Sequence, residues 1–442
     1  MSCKTTSIRS ELLREEYRKI KHPSGLDIYL FPKTLSTSYA IFGVKYGSIH
    51  NRFRSPLSEE WITVPDGIAH FLEHKLFFNE DGTDSFSRFS DLGADANAYT
   101  SESKTCYLFS CTDRFSESLE ELLTFVTHPY FTPESVASEV GIISEEIRMY
   151  DDNPSDRCFY GMLEAMYEHH SIRRNICGSV SSIKKITADL LYACYRAFYR
   201  LDNMILAISG DLSEEEVLRI ADKALPSTPP PLPLTLTEDE NAKESPAVYL
   251  PYRERRMQVA KPLFNIGFKD VHIPEDGEAR QRRDAAMSIL NEMLFSRAGK
   301  LYNELLEAEM ISPALSYGYT ISRHAAYNSI GGEAEDPRAV LAKIRSYLNE
   351  VQASGLSRED FLRAKRVMYA EFVKAFDSTE SIAGNLFNFA SEDADLLSYA
   401  EHLSAVTFEE VSELLKASFT EESTALSVIL PLLEEASIQQ ED

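Results

Sequence analysis

The sequence predicts an α/β protein of the α+β kind, made of two homologous halves in which a mixed sheet packs against helices. Three observations carry this expectation. The chain has 442 residues, more than the roughly 250–300 at which a single core stops growing. A proline-rich seam lies near its middle. Segments on either side of that seam echo each other. With 43% hydrophobic and 26% charged residues, the composition is that of a folded domain and not of a disordered one.

Taken in chain order, the opening segment MSCKTTSIRSELLREEYRKI contains no apolar signal-peptide core. No stretch approaches the roughly 18 apolar residues of a membrane span, so the expectation is a cytoplasmic protein with no membrane partner. Runs such as GLDIYLFP, YAIFGVKYGS (39–48) and TCYLFSC have the composition of strands. They alternate with helical patterns over 112–128, 134–150 and 184–199, which implies layered α/β structure. In the seam, Pro226, Pro229, Pro230, Pro231 and Pro233 precede an acidic polar run. Clustered prolines hold the backbone extended, so 226–250 reads as a linker between a half at 1–225 and a half at 251–442. Across it, PLFNIGFKD (262–270) resembles YAIFGVKYGS, and SILNEMLF (288–295) aligns with HFLEHKLF (70–77). Where the first copy has His70, Glu73 and His74, the second has Ser288, Asn291 and Glu292. A duplicated unit whose second copy lost its chemistry accounts for this, so 1–225 is the expected catalytic half and 251–442 a degenerate one.

A formal charge of −25 argues against a nucleic-acid partner, which needs Lys and Arg to neutralise phosphates. The acidity reads first as a solvated exterior, and an acidic inner surface would favour cationic or neutral peptides. Six cysteines (Cys3, Cys106, Cys111, Cys158, Cys177 and Cys194) are too sparse for a disulfide framework and are expected to be reduced. Cys106 and Cys111 sit in a strand-like run with no matching second pair, so they are expected to be buried.

The chemistry is concentrated in DGIAHFLEHKLFF. Asp66 and Gly67 suit a helix start, with Asp66 as N-cap. On a helix, His70 and His74 stand one turn apart and project from one face, so both imidazoles can grip one ion, and Glu73 points to the same side. Zinc suits two imidazoles plus a carboxylate with one coordination place open, although manganese or cobalt also accept such donors. A bound metal draws the pKa of water towards about 7, and a nearby carboxylate can then pass the proton to a leaving amine. Glu73 fits that task. Downstream, Thr132 and Pro133 are the N-cap and first residue of a helix expected over about 133–150. Glu139 and Glu146 lie seven residues apart on it and share a face, whereas Glu145 lies about 100° away. Glu146 is therefore the expected third ligand, and Glu139 a carboxylate orienting a metal histidine. Between the two helices, DLGADANAYTS suits a turn into a strand to which an extended peptide could add.

Together PDGIAHFLEHKLF, GADANAYTS and SEVGIISEEIRMYDDNP resemble, in order, the pitrilysin family or inverzincins, which includes insulin-degrading enzyme and the mitochondrial processing peptidase. The Lys after the second His is similar to a bacterial branch of paired peptidase-like proteins. The resemblance implies a zinc endopeptidase acting on peptides or unfolded segments, with two α/β halves closing like a clamp around a chamber. It implies zinc on His70, His74 and Glu146, with Glu73 activating water and Glu139 as auxiliary acid. Asn97 and Ala98 match the strand that pairs with substrate. Active members also use an Arg and a Tyr seven residues apart from a second half of this type. Leu306 and Pro313 stand at those positions here, with Arg297, Tyr317 and Tyr319 nearby. A homologous partner subunit with the intact pair, making a heterodimer, is the expectation, and a homodimer the second choice. The alternative is a non-catalytic peptide-binding or assembly subunit.

Overall fold

The computed structural model describes residues 3–54, 60–225, 235–237 and 244–433. Most of the expected proline-rich linker, 226–234 and 238–243, falls outside the described residues.

Strands and helices form where pattern and caps demand. The alternating run ending at Pro32 is the strand Asp27–Pro32, and YAIFGV and TCYLFSC become Ser38–Val44 and Thr105–Cys111. Thr132 caps its helix as the sequence predicts: its hydroxyl accepts the Ser135 amide, and the helix runs Pro133–Asp152. Asp66 is not a cap. The short helix Ile68–Leu76 starts instead from Gly67 at φ 90 with no side-chain cap, and the Asp66 carboxylate receives Asn51 and Arg174. The reason is steric. A Cβ on Gly67 would lie 2.3 Å from the Cys177 carbonyl oxygen, so the chain turns through a conformation that glycine tolerates.

Among the described residues, two main sheets carry the duplication. In the first, Asp27–Pro32 runs parallel to Met204–Gly210, followed by antiparallel Ser38–Val44, Thr105–Cys111 and, at the edge, Asp95–Thr100. Lys4–Ser10 and Glu15–Lys21 extend the opposite side. In the second, Tyr252–Met257 runs parallel to Thr424–Pro431, followed by antiparallel Leu263–Asp270, Ala326–Glu333 and the edge strand Ser316–Ile321. Five strands thus repeat in the same order and sense. The helix Ile68–Leu76 follows the third strand of its set as Gly277–Phe295 follows the matching strand. This is the mixed α/β architecture of two homologous halves that the echoes predict.

The halves also trade helices. Helix Pro154–Met166 packs on the second sheet, whereas helix Thr379–Ser391 packs on the first. Equivalent glycines in the echoing strands admit them. A Cβ on Gly43 would come within 2.3 Å of Phe387, and one on Gly267 within 2.6 Å of Met166. The shared Gly of YAIFGVKYGS and PLFNIGFKD is thus a seat for a helix of the opposite half. An apolar cluster joining Phe31, Ile41 and Ala207 to Phe376, Leu386 and Phe387 fills one junction.

Candidate metal centre

Helix Ile68–Leu76 is buried almost all round, so the polar side chains it carries must find partners inside the protein. It packs on helix Pro133–Asp152 and on edge strand Asp95–Thr100, and these supply partners for its polar groups except His70 Nδ1, which is buried with none among the described residues. His70 Nε2 lies 3.6 Å from Glu146 Oε1, and His74 Nε2 lies 3.4 Å from Glu146 Oε2. The two rings meet edge to face at 4.6 Å. On its other side, His74 Nδ1 is 3.1 Å from Glu139 Oε1, while Lys75 Nζ reaches Glu139 Oε2 at 3.4 Å. Glu145 points away and pairs with Arg148 on the surface. Seven residues of helical rise separate the two useful glutamates, and the adjacent one faces solvent.

Electrostatics divides the carboxylates. Burial pushes the Glu73 carboxyl above the usual carboxylate range, against the pull of His70, the Thr100 hydroxyl and His74. Thr100 Oγ1 donates to Glu73 Oε2 at 2.6 Å. The hydrogen bond to His70 holds Glu146 below that range in spite of burial. Burial works to raise Glu139, but His74 and Lys75 hold it low. Burial works to lower the His74 imidazole, and Glu139, Glu73 and Glu146 overcome it and raise it. Two carboxylates are thus kept charged as acceptors, and one is brought towards the range of a general base.

These groups line a cleft of about 630 Å³. Asn97 and Ala98 line it too, on a strand whose outer edge has no neighbouring strand among the described residues. Sequence reasoning missed Thr100, Lys75, Tyr150 and Cys177, all on the cleft wall. Tyr150 follows Glu146 by one helical turn and Thr100 closes the DANAYT strand, so both were open to pattern reading. Cys177 carried no such signal, being remote in sequence from both helices. The expected Arg/Tyr positions lie elsewhere. Leu306 packs against the second core, the Pro313 carbonyl accepts Tyr302, Tyr317 donates to Glu292, Tyr319 donates to Asp270, and Arg297 is exposed.

Among the described residues, the donor atoms that lie within 4.8 Å of one another belong to His70, Glu146 and Cys177, a partial set for a small divalent ion that leaves out His74. Bonds of about 2.0–2.1 Å to a tetrahedral zinc put donors about 3.4 Å apart, close to the separations of both imidazoles from Glu146. Glu139 stands behind His74, where a carboxylate that orients a metal histidine would sit. By similarity, residues 63–179 match the family described as Insulinase (Peptidase family M16), and residues 185–368 match the Peptidase M16 inactive domain. A Bacillus subtilis (strain 168) protein described as an uncharacterized zinc protease, YmfH, is 37% identical over 96% of this chain and 99% of its own. The chain belongs to peptidase family M16. Within M16, a protein from Alicyclobacillus acidocaldarius described as M16-like is 29% identical with a TM-score of 0.87, over 98% of this chain and 99% of that one. Pitrilysin shares the fold at 14% identity and a TM-score of 0.71, with 98% of this chain covering 48% of that one. The clamp-like pair of halves agrees with these M16 neighbours. Among the described residues, no helix is long and apolar enough to cross a membrane.

Proposed function

We propose that this chain is a zinc-dependent endopeptidase that hydrolyses peptides or unfolded polypeptide segments, and that it forms the catalytic subunit of a two-chain assembly. One observation carries the reading: both imidazoles of the His70–His74 pair face Glu146 at metal-donor spacing, with the buried carboxyl of Glu73 beside them. His70, His74 and Glu146 would hold the ion. Zinc, when bound, supplies a Lewis acid that polarises the scissile carbonyl and acidifies water. Glu73 takes the proton from the attacking water and delivers it to the departing amine nitrogen. Thr100 keeps its carboxylate aimed into the cleft. Glu139 holds His74 in the tautomer that leaves Nε2 free for the ion, and Lys75 anchors Glu139 in turn. An extended substrate adds to the open edge of Asp95–Thr100, with Asn97 and Ala98 beside its backbone. Because Asp84, Glu139 and Asp156 share the wall with Lys75 as the lysine, cationic or neutral peptides are the favoured class.

A second chain belongs to the same proposal. A molecule of this length spans about half of pitrilysin, and Leu306 and Pro313 provide neither a guanidinium nor a phenol. A homologous partner would supply them, in a heterodimer before a homodimer. The division into a half at 1–225, a linker at 226–250 and a half at 251–442, and a cytoplasmic location with reduced thiols, are further parts of the proposal.

The test is cleavage of a quenched peptide library by the purified chain, alone and with its homologous partner, alongside metal analysis before and after chelation. Activity should follow bound zinc and fall by about 10²-fold or more in Glu73→Gln. The same match to an inactive domain favours a second reading, a non-catalytic assembly or peptide-binding subunit. Peptide binding with no cleavage in the zinc-loaded pair would establish it.

A further inference from the structure

Resting on the metal reading above, we propose that Cys177 is a further donor to the ion, its sulfur occupying, in the absence of substrate, the coordination place otherwise open to solvent. Cys177 lies far from both metal helices in sequence, yet its Sγ is 3.9 Å from His70 Nε2. One donor atom from each of His70, Glu146 and Cys177 falls within 4.8 Å of the others. A tetrahedral ion with bonds of about 2.0–2.1 Å to nitrogen and about 2.3 Å to sulfur separates such donors by about 3.6 Å. The sulfur stands a few tenths of an ångström beyond that spacing from His70 Nε2 and within 4.8 Å of a Glu146 oxygen, so binding draws the Cys177 side chain inward. His74 stands outside that mutually close set, on the other oxygen of Glu146.

The loop bearing the thiol is built onto the metal helix. Gly67 makes room for the Cys177 carbonyl, and Gly178, at φ 75, makes room for the Asp66 carbonyl at 2.4 Å from where its Cβ would be. The Cys177 amide donates to Asn175 Oδ1 at 2.9 Å, and Ser182 Oγ donates to the Asp66 carbonyl at 2.8 Å. Two glycines and these hydrogen bonds keep the side chain buried, at 5% exposure, on the wall of the cleft.

Ligation breaks the S–H bond, releases the proton to solvent in the cleft and forms one metal–sulfur bond, with no change of oxidation state. A thiolate also alters selectivity. Two imidazoles and a carboxylate accept manganese readily, whereas sulfur favours zinc or cobalt. Substrate entry then requires the sulfur to yield its place, so the thiol competes with the peptide carbonyl.

The experiment loads metal-free protein with Co²⁺ and records its spectrum. A near-ultraviolet thiolate-to-cobalt charge-transfer band should accompany binding, persist in Glu73→Gln and vanish in Cys177→Ser. Zinc affinity, measured against a chromogenic chelator, should weaken about tenfold in Cys177→Ser. Zinc should also protect Cys177 of the wild type from iodoacetamide, as read by peptide mass, and this arm decides the matter should the serine variant not fold. Cobalt uptake with visible d–d bands but no charge-transfer band, together with alkylation of Cys177 indifferent to metal, would overturn the thiol donor and leave the histidine–glutamate site standing. Failure to bind cobalt or zinc at all would remove both readings.

Discussion

Single side chains set the chemistry by their partners more than by their identity. Glu73 and Glu146 are both half of a carboxylate–imidazole arrangement, yet one is raised by burial and the other held low by His70. The Thr100 hydroxyl stabilises the charged form of Glu73. Thr100→Val should therefore raise that carboxyl further, moving the acid limb of the kcat/KM profile to higher pH. A limb that stays in place or moves down would contradict Glu73 as the base. Glu139 lies 3.1 Å from His74 Nδ1, so in the proposed site it acts through that ring. Glu139→Gln should weaken zinc binding about 10–100-fold in chelator competition while leaving far-ultraviolet circular dichroism unchanged. That His70, Glu73, His74, Glu139 and Glu146 would face one cleft was legible because helical spacing puts them on shared faces. Thr100 and Cys177 join through chain closure, which local periodicity does not encode.

At the level of elements, the repeated strands owe their glycines to helices that come from the other half. Gly43 faces Phe387 on helix Thr379–Ser391, and Gly267 faces Met162 and Met166 on helix Pro154–Met166. Gly43→Ala should lower stability to urea by about 1–3 kcal/mol through overpacking. Trimming the opposing ring with Phe387→Leu in the same chain should recover part of that loss, so that the pair costs less than the sum of the singles. Strict additivity would show that the seat is not shared. The sequence echo marked these strands as equivalent. The helix that each glycine admits lies more than a hundred residues away in the chain, so its identity could not be read from the strand.

For the whole molecule, the junction between halves includes a buried charge pair. Glu244 accepts Lys269 Nζ at 2.8 Å and the amides of His169 and His170, tying a turn of the first half to a strand of the second. Burial works to raise its carboxyl, but Lys269 and the two amides hold it at about 2. Glu244→Ala leaves Lys269 buried without this partner and should cost about 3–5 kcal/mol at neutral pH. Because the folded value lies below the ordinary 4.5, the stabilisation is full above about pH 4.5 and is lost as pH falls towards about 2. Urea midpoints of wild type and variant should therefore converge between those values. A gap independent of pH would exclude the ion pair as its source.

The amino-acid sequence by itself determined the layered class, the duplication and the residues that share helix faces, because strand alternation, helical pitch and capping chemistry act over a few neighbouring positions. Tertiary structure alone decided which helix covers which sheet, that Asp66 gives up the cap to Gly67, and that the Cys177 loop closes against the histidine pair. Those outcomes depend on excluded volume between segments far apart in the chain, where a single missing Cβ determines whether two backbones can meet.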